Sequence, residues 1–379
     1  MMNKKPVYFD YNATALIRLA VINLMQEIMG QPGNASAVHG FGRGARAHIE
    51  KAREQVAAFC CVSAAQVTFN SGATEANNTV LKAFAGERVL VSAIEHLSMI
   101  EPMPNVEKIP VTGDGVVDES AFEAMLGKGP APALISVMMV NNETGAIQPV
   151  EKLARMAKKK FPHVFFHTDA VQAAAKMKLD MPALQVDYLS LSSHKIGGPQ
   201  GMGALVLAPG ARPAKLLYGS GQEKRQRAGT ENVAGIAGFG LAAEIAAREI
   251  GEYAKLGALR DRIEKGMIKI TPDLIIYAIN APRVPNVTAF SLPGVDAQTI
   301  LMGLDLEGMA ISRGTACGSG AVKPSHVIQA MAGDLAPPDG ALRISMGWDT
   351  VPGDVDSFLN AWEKVAARAK GKREMAVHA

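Results

Sequence analysis

Four short segments carry residue types that could do chemistry together. In the first, an apolar run ends in Ser190-Leu191-Ser192-Ser193-His194-Lys195 and passes into the Gly/Pro loop Ile196-Gly197-Gly198-Pro199-Gln200-Gly201, which cannot continue as a helix. An amine at a buried strand end, partly desolvated and near other cations, loses its proton and can form a Schiff base with a carbonyl. A plain surface lysine is the alternative. The second segment, Ser71-Gly72-Ala73-Thr74-Glu75, follows a strand pattern and opens a helical one. Glycine permits close backbone approach, and the free N–H groups of a first helical turn favour a phosphate. Ser and Thr followed by Glu would serve helix capping equally well.

The third segment, His167-Thr168-Asp169-Ala170-Val171-Gln172, closes another apolar strand. A carboxylate at a buried strand end is costly without a cationic partner. A protonated pyridine nitrogen would be one, and a helix-capping Asp is the other reading. The fourth, Ser312-Arg313-Gly314-Thr315-Ala316-Cys317-Gly318-Ser319-Gly320, sets a cysteine amid small residues, where an exposed and accessible thiol is expected. Cys60 and Cys61 end an apolar helical pattern, so core packing is their default. A phosphate at a helix N-terminus, an Asp for a ring nitrogen and a Schiff-base Lys are together what a protein contributes to pyridoxal-phosphate chemistry. Their order along the chain is more specific than any one part.

These residues need elements to hold them. From about residue 43 to 210, helical patterns alternate with short apolar runs. The spacing predicts helices over 44–59 and 74–84, and strands over 66–70, 88–92, 134–140, 164–168, 188–191 and 204–207. Strands separated by helices imply an α/β fold with a mainly parallel sheet covered on both faces. A long Ala/Glu/Ile helical pattern runs from about 230 to 270. Strands over 286–292 and 341–346 and a closing helix over 355–369 follow, as a smaller α+β unit. The expected division is 15–250 as a large domain, with 1–14 and 251–379 as a small one.

The bulk of the chain narrows the function classes. A length of 379 residues with 48% hydrophobic and 20% charged residues is that of a globular protein with ample core. Thirty-nine basic against 36 acidic residues, a net +3, is too balanced to imply a nucleic-acid surface. Lys158-Lys159-Lys160 reads as a solvated helix end. No apolar run approaches the roughly 20 residues that cross a bilayer, and the N-terminus carries no signal-peptide apolar region. Three cysteines give neither a disulfide framework nor a metal-ligand spacing, so a cytoplasmic, reducing setting with a free thiol is expected.

The ordered segments resemble the class V aminotransferase-fold cysteine desulfurases of the NifS/IscS type. The resemblance runs from Phe9-Asp10-Tyr11-Asn12-Ala13-Thr14 and Gly33-Asn34-Ala35-Ser36 through Ser71 to Glu75, Glu95-His96 and Asn141-Asn142-Glu143-Thr144-Gly145. It continues with Asp169 to Gln172, Ser192 to Pro199 and Arg227-Ala228-Gly229-Thr230, and closes with the Cys317 loop and Leu342-Arg343-Ile344-Ser345. It implies the fold-type I architecture of pyridoxal-phosphate-dependent transferases, with Lys195 holding the cofactor covalently and His96 stacking on its ring. Asp169 would pair with the ring nitrogen, with Gln172 and Asn142 near the ring substituents. Thr74, Ser192 and His194 would bind the phosphate, joined by Thr230 from a neighbouring subunit of a homodimer. Arg343, with Asn34 nearby, would clamp the carboxylate of L-cysteine, and Cys317 would take the sulfur as a persulfide, leaving alanine. An iron–sulfur scaffold or another acceptor protein would receive that sulfur. Ala35 stands where such enzymes often have Pro, and Arg313 where they usually have a small residue. The end, Gly371 to Ala379, lacks the scaffold-docking tail of housekeeping enzymes, which leaves the acceptor open. A selenocysteine lyase of the same fold and a non-catalytic assembly scaffold are the rival readings.

Overall fold

The computed structural model describes residues 6–314, 325–333, 336 and 340–377, with residues 370–377 by backbone alone. In chain order the first half runs β1 (Val7–Tyr8), α1 (Leu19–Met29), α2 (Gly40–Phe59), β2 (Val67–Asn70), α3 (Ala73–Ala83), β3 (Val89–Ser92), α4 (Leu97–Ile100), β4 (Glu107–Ile109), α5 (Glu119–Leu126), β5 (Leu134–Ser136) and α6 (Val150–Lys160). The second half runs β6 (Phe165–Asp169), α7 (Met181–Leu184), β7 (Tyr188–Ser192), β8 (Gly203–Leu207), α8 (Val233–Ala254), α9 (Leu256–Ile270), β9 (Ile275–Ile276), β10 (Val287–Ser291), α10 (Ala297–Leu306), β11 (Met309–Ala310), β12 (Ser312–Arg313), α11 (His326–Ala332), β13 (Leu342–Ser345) and α12 (Pro352–Val377).

Seven strands form one sheet in the order β2-β8-β7-β6-β5-β3-β4. All neighbours pair in parallel except around β8, which is antiparallel to both β2 and β7. Strands β3 and β7 are buried along their whole length, as parallel strands covered on both faces must be. Helix α2 buries Ile49, Ala52, Val56 and Phe59, a face set by spacings of three and four, and packs against α8. The helix α6 carries Lys158, Lys159 and Lys160 in its last turn, where cations complement the helix dipole.

The C-terminal part builds a four-stranded antiparallel sheet, β12-β13-β10-β9, with α9, α10 and α12 against it. Its core is fixed by Trp362, fully buried and set edge-on to Phe290 at 5.5 Å. The N-terminal residues cross between the two sheets. Val7–Tyr8 pairs in parallel with Met309–Ala310, and Asp10 bridges to Ser345. A few residues later the Ala15 N–H donates to the His194 carbonyl at 2.9 Å, beyond the end of β7.

Two expectations needed correction. The single helix over 230–270 is two, α8 and α9, which divide at Lys255 between Gly251 and Gly257, residues that stabilise helix poorly. The strand expected over 134–140 leaves the ladder after Ser136. Its extension still bonds to the end of β6, the Val137 N–H donating to the His167 carbonyl and the Met139 N–H to the Asp169 carbonyl.

Candidate functional site

The C-terminal ends of the central strands open on a cavity of about 680 Å³. This is where ligands gather in open α/β sheets, because helix N-termini and strand-end side chains converge there. Strand β7 ends at Ser192, and one helical turn, Ser193–Lys195, brings the lysine to the cavity wall. Lys195 Nζ donates to the carbonyls of Asn12 and Ala13 at 2.6 and 2.7 Å. Burial, and then the Arg343 guanidinium, push its amine down to about 8, against the opposing pull of Asp10 and Asp169.

Strand β6 ends at Asp169, only 5% exposed. Its carboxylate accepts from the Asn77 amide at 2.8 Å and from the Val171 N–H at 3.0 Å. Both donors are neutral, and no ion pair reaches Asp169 among the described residues. A buried carboxylate so placed still has a use for a cation. Across the wall, α3 opens at Gly72, whose φ of +151° suits glycine, and no side chain caps the helix. Ala73 and Thr74 of its first turn line the cavity. Glu75 reaches back to Ser71, accepting from its N–H and hydroxyl at 2.9 and 2.6 Å, but neither side chain takes a free N–H of the first turn, so the capping reading of this segment is not met.

Burial lowers the pKa of both cavity histidines. The His96 Nδ1 accepts from the Ser98 N–H at 3.2 Å, which leaves its proton on Nε2. Burial, with help from Lys195, lowers its pKa against the pull of Asp169. His194, whose Nδ1 is 3.1 Å from the Thr14 hydroxyl, is pushed down to about 4 by burial and by Lys195. Strand β13 supplies Arg343, which donates to Asp10 at 2.7 Å and to the Asn142 carbonyl at 3.1 Å, while its Nε is buried without a partner among the described residues.

Of the residues singled out in the sequence, Thr74, His96, Asn142, Asp169, Gln172, Ser192, His194, Lys195 and Arg343 all face this one cavity. Asn34 and Thr230 do not; both are exposed, and the Asn34 amide oxygen accepts from the Ser36 N–H. Cys317 lies outside the described residues. The chain reaches it from Ser312, Arg313 and Gly314 on the cavity wall. Cys60 is buried, as core packing requires, and burial pushes its thiol up. Cys61 departs from that expectation: at φ +58° it turns out of the helix end and is exposed.

Sequence reasoning missed Asn12 and Lys176. Asn12 is 2% exposed, and its carbonyl is the acceptor for both Lys195 and Gln172. Lys176, 8% exposed, donates to Asn12 and Gln172. The only signal was position: Asn12 sits within a quoted segment, and Lys176 follows Gln172 by four.

These residues fit the pyridoxal phosphate that the sequence led us to expect. A lysine of lowered basicity, a buried carboxylate lacking a cation and an uncapped helix N-terminus around one cavity are the donor set that group requires. A family model, Aminotransferase class-V, matches residues 7–358. The chain is 37% identical to the cysteine desulfurase IscS of Dictyoglomus turgidum over 382 residues, covering 97% of this chain and 96% of that one. It superposes on the crystal structure of a NifS-like protein from Rickettsia africae with a TM-score of 0.88 and 34% identity, over 96% of this chain and 99% of the other. It also superposes on SspA in complex with cysteine, with a TM-score of 0.78 and 27% identity, over 89% of this chain and 98% of that one.

Proposed function

The chain belongs to the class-V aminotransferase family, and we propose that it is a pyridoxal-phosphate-dependent cysteine desulfurase, taking sulfur from L-cysteine and releasing L-alanine. The observation that carries this reading is the pairing of Lys195, its amine lowered to about 8, with the cation-free carboxylate of Asp169 at one cavity. When bound, pyridoxal phosphate supplies a sink for the electrons released at the substrate Cα.

The chain's own residues do the rest. Lys195 Nζ takes the Cα proton and later returns one, a role that its lowered basicity suits. Asp169 would pair with the ring nitrogen and favour its protonated form, with Gln172 and Asn142 placed to approach the ring substituents. His96, its ring fixed by Ser98, would stack on the cofactor's ring. The first turn of α3 with Thr74, Ser192 and His194 would hold the phosphate. Arg343, anchored on Asp10, holds the substrate carboxylate by a two-pronged contact.

The Cys317 thiolate attacks the substrate sulfur. A sulfur–sulfur bond forms, the carbon–sulfur bond breaks, and its electron pair stays with Cβ, where protonation leads to alanine. Cys317 then carries a persulfide for an acceptor protein, such as an iron–sulfur scaffold. A homodimer completes the site in this reading, since Thr230 is exposed and outside its own chain's cavity, free to serve a neighbouring subunit.

Mass spectrometry after incubation with L-cysteine, beside an alanine assay and Cys317→Ala, tests the proposal. One added sulfur on Cys317 with alanine released supports it. Alanine without sulfur on Cys317 points to direct sulfide release, and no alanine despite bound cofactor means a different substrate.

A further inference from the structure

Behind the cavity wall lies a second lysine to which no role has been given. Lys176 is 8% exposed, and no carboxylate pairs with it among the described residues. The charged groups facing it are Lys195 and Arg343, both cations, and these together with burial push its amine well down. A cation is an expensive group to keep in such a place. Its contacts suggest why it is there. Nζ lies 2.6 Å from Gln172 Oε1 and 2.7 Å from Asn12 Oδ1.

In the structure both amide oxygens accept from Lys176 Nζ; a protonated lysine can meet them in no other way, and a neutral one still has the two N–H groups that these contacts use. The oxygen of each amide faces Lys176, and its nitrogen faces elsewhere. Gln172 Nε2 is thereby turned to the Asn12 carbonyl at 3.0 Å, which leaves one N–H as what Gln172 can offer to the cavity. Asn12 Nδ2 is turned to the Asn142 carbonyl at 3.0 Å, and the Asn12 carbonyl also receives Lys195 at 2.6 Å. Without the amine, two buried carbonyl oxygens would lack a donor and both amides would be free to turn or swing.

We propose that Lys176 is a positioning residue of this site, fixing the Gln172 amide so that it presents a hydrogen-bond donor, not an acceptor, to the bound cofactor, and holding the Asn12 backbone that receives Lys195. This rests on the desulfurase reading for what fills the cavity.

The test is a double-mutant cycle on the full chain, with Lys176→Met, Gln172→Leu and the double variant. The dissociation constant of pyridoxal phosphate is read by fluorescence titration of each apoprotein, and the visible absorption maximum of each loaded protein is recorded. Each single change should weaken binding about tenfold and move the maximum. The double variant should be no more than about threefold worse than the weaker single, because the two residues act through one contact. Wild-type affinity in Lys176→Met, or losses that multiply in the double variant, overturn the proposal. Should Lys176→Met fail to fold by circular dichroism, Gln172→Glu decides. It leaves Lys176 an acceptor but offers the cavity an oxygen, so it should bind more weakly than Gln172→Leu; equal or tighter binding overturns the proposal. A wild type that binds cofactor yet releases no alanine from cysteine sinks the desulfurase reading and leaves the cycle readable.

Discussion

Glu75, in the first turn of α3, holds Arg227 by an ion pair, Oε1 accepting from Nε at 3.0 Å. The other carboxylate oxygen accepts from the Ser71 hydroxyl at 2.6 Å. One side chain thus joins the end of β2, the helix that would take the phosphate, and the segment leading to Thr230. Burial works to raise the Glu75 pKa, but the hydrogen bonds from Arg227 and Ser71 outweigh it and hold it low.

Arg227→Ala should cost about 1–2 kcal/mol of stability, as loss of a charge-assisted bond to a mostly buried carboxylate does. A depressed carboxyl contributes stability that is complete above its unfolded pKa and lost as pH falls through the folded one. The gap between wild type and variant should therefore persist at neutral pH and close in acid. Denaturant midpoints across that range check it, and a gap unchanged below about pH 4 would contradict the assignment.

Lys195 gives a prediction of opposite sense. Its neutral amine is the nucleophile, and burial with Arg343 lowers the pKa to about 8. Covalent uptake of pyridoxal phosphate by the apoprotein should rise with pH to a plateau just above that value, far below the ordinary lysine range near 10.4. Lys195→Ala should hold the cofactor only noncovalently and release no alanine. Stopped-flow absorbance measures the uptake, and a rate still climbing beyond about pH 10 would place the titration elsewhere.

Space decides a third outcome. A Cβ on Gly203 of β8 would lie 2.6 Å from Gly72 Cα and 2.6 Å from the Leu191 carbonyl, backbone that cannot step aside cheaply. Gly203→Ala should push β8 away from the strand end that sets up α3, costing about 1–3 kcal/mol and weakening cofactor binding as well. Thermal melting and fluorescence titration on the same preparation measure both, and a variant stable but unaltered in cofactor affinity would separate β8 from the site.

How far the site could be read in advance depended on how local each signal was. Asp169 and Lys195 were legible because β6 and β7 are buried apolar runs, and a charge ending such a run stands out. Asn12 and Lys176 were not, since their meaning lies in a contact across 164 residues that no local pattern encodes. Cys61 was misplaced for a similar reason: the helix pattern is apolar to its end, while the left-handed turn that exposes the thiol is set by how the chain leaves α2. The break between α8 and α9 was hidden because both halves are good helix formers; the two glycines that flank it weaken the helix only slightly, and the halves pack against different partners.

Glu95 yields the prediction with the clearest sign. It is fully buried beside the cavity, Oε1 accepting from the Ser92 hydroxyl at 2.7 Å and from the Met138 N–H at 2.5 Å, while Oε2 has no partner among the described residues. Burial raises its pKa to about 8; those two hydrogen bonds oppose the shift, and the charge of Asp169 adds to it. At neutral pH the group is mostly a carboxylic acid. A raised carboxyl binds its proton more tightly folded than unfolded, so its contribution is full in acid and lost as pH rises through the folded pKa. The loss amounts to about 1.4 kcal/mol for each unit that separates the two pKa values. Glu95→Gln keeps an oxygen for Ser92 and Met138 and cannot ionise. Wild-type stability should fall on going from about pH 4.5 to about pH 8, the span between the unfolded and folded pKa values, and the variant should fall less over it. Parallel curves over that window would mean that Glu95 is already ionised in the folded protein, with a cation nearby to hold it.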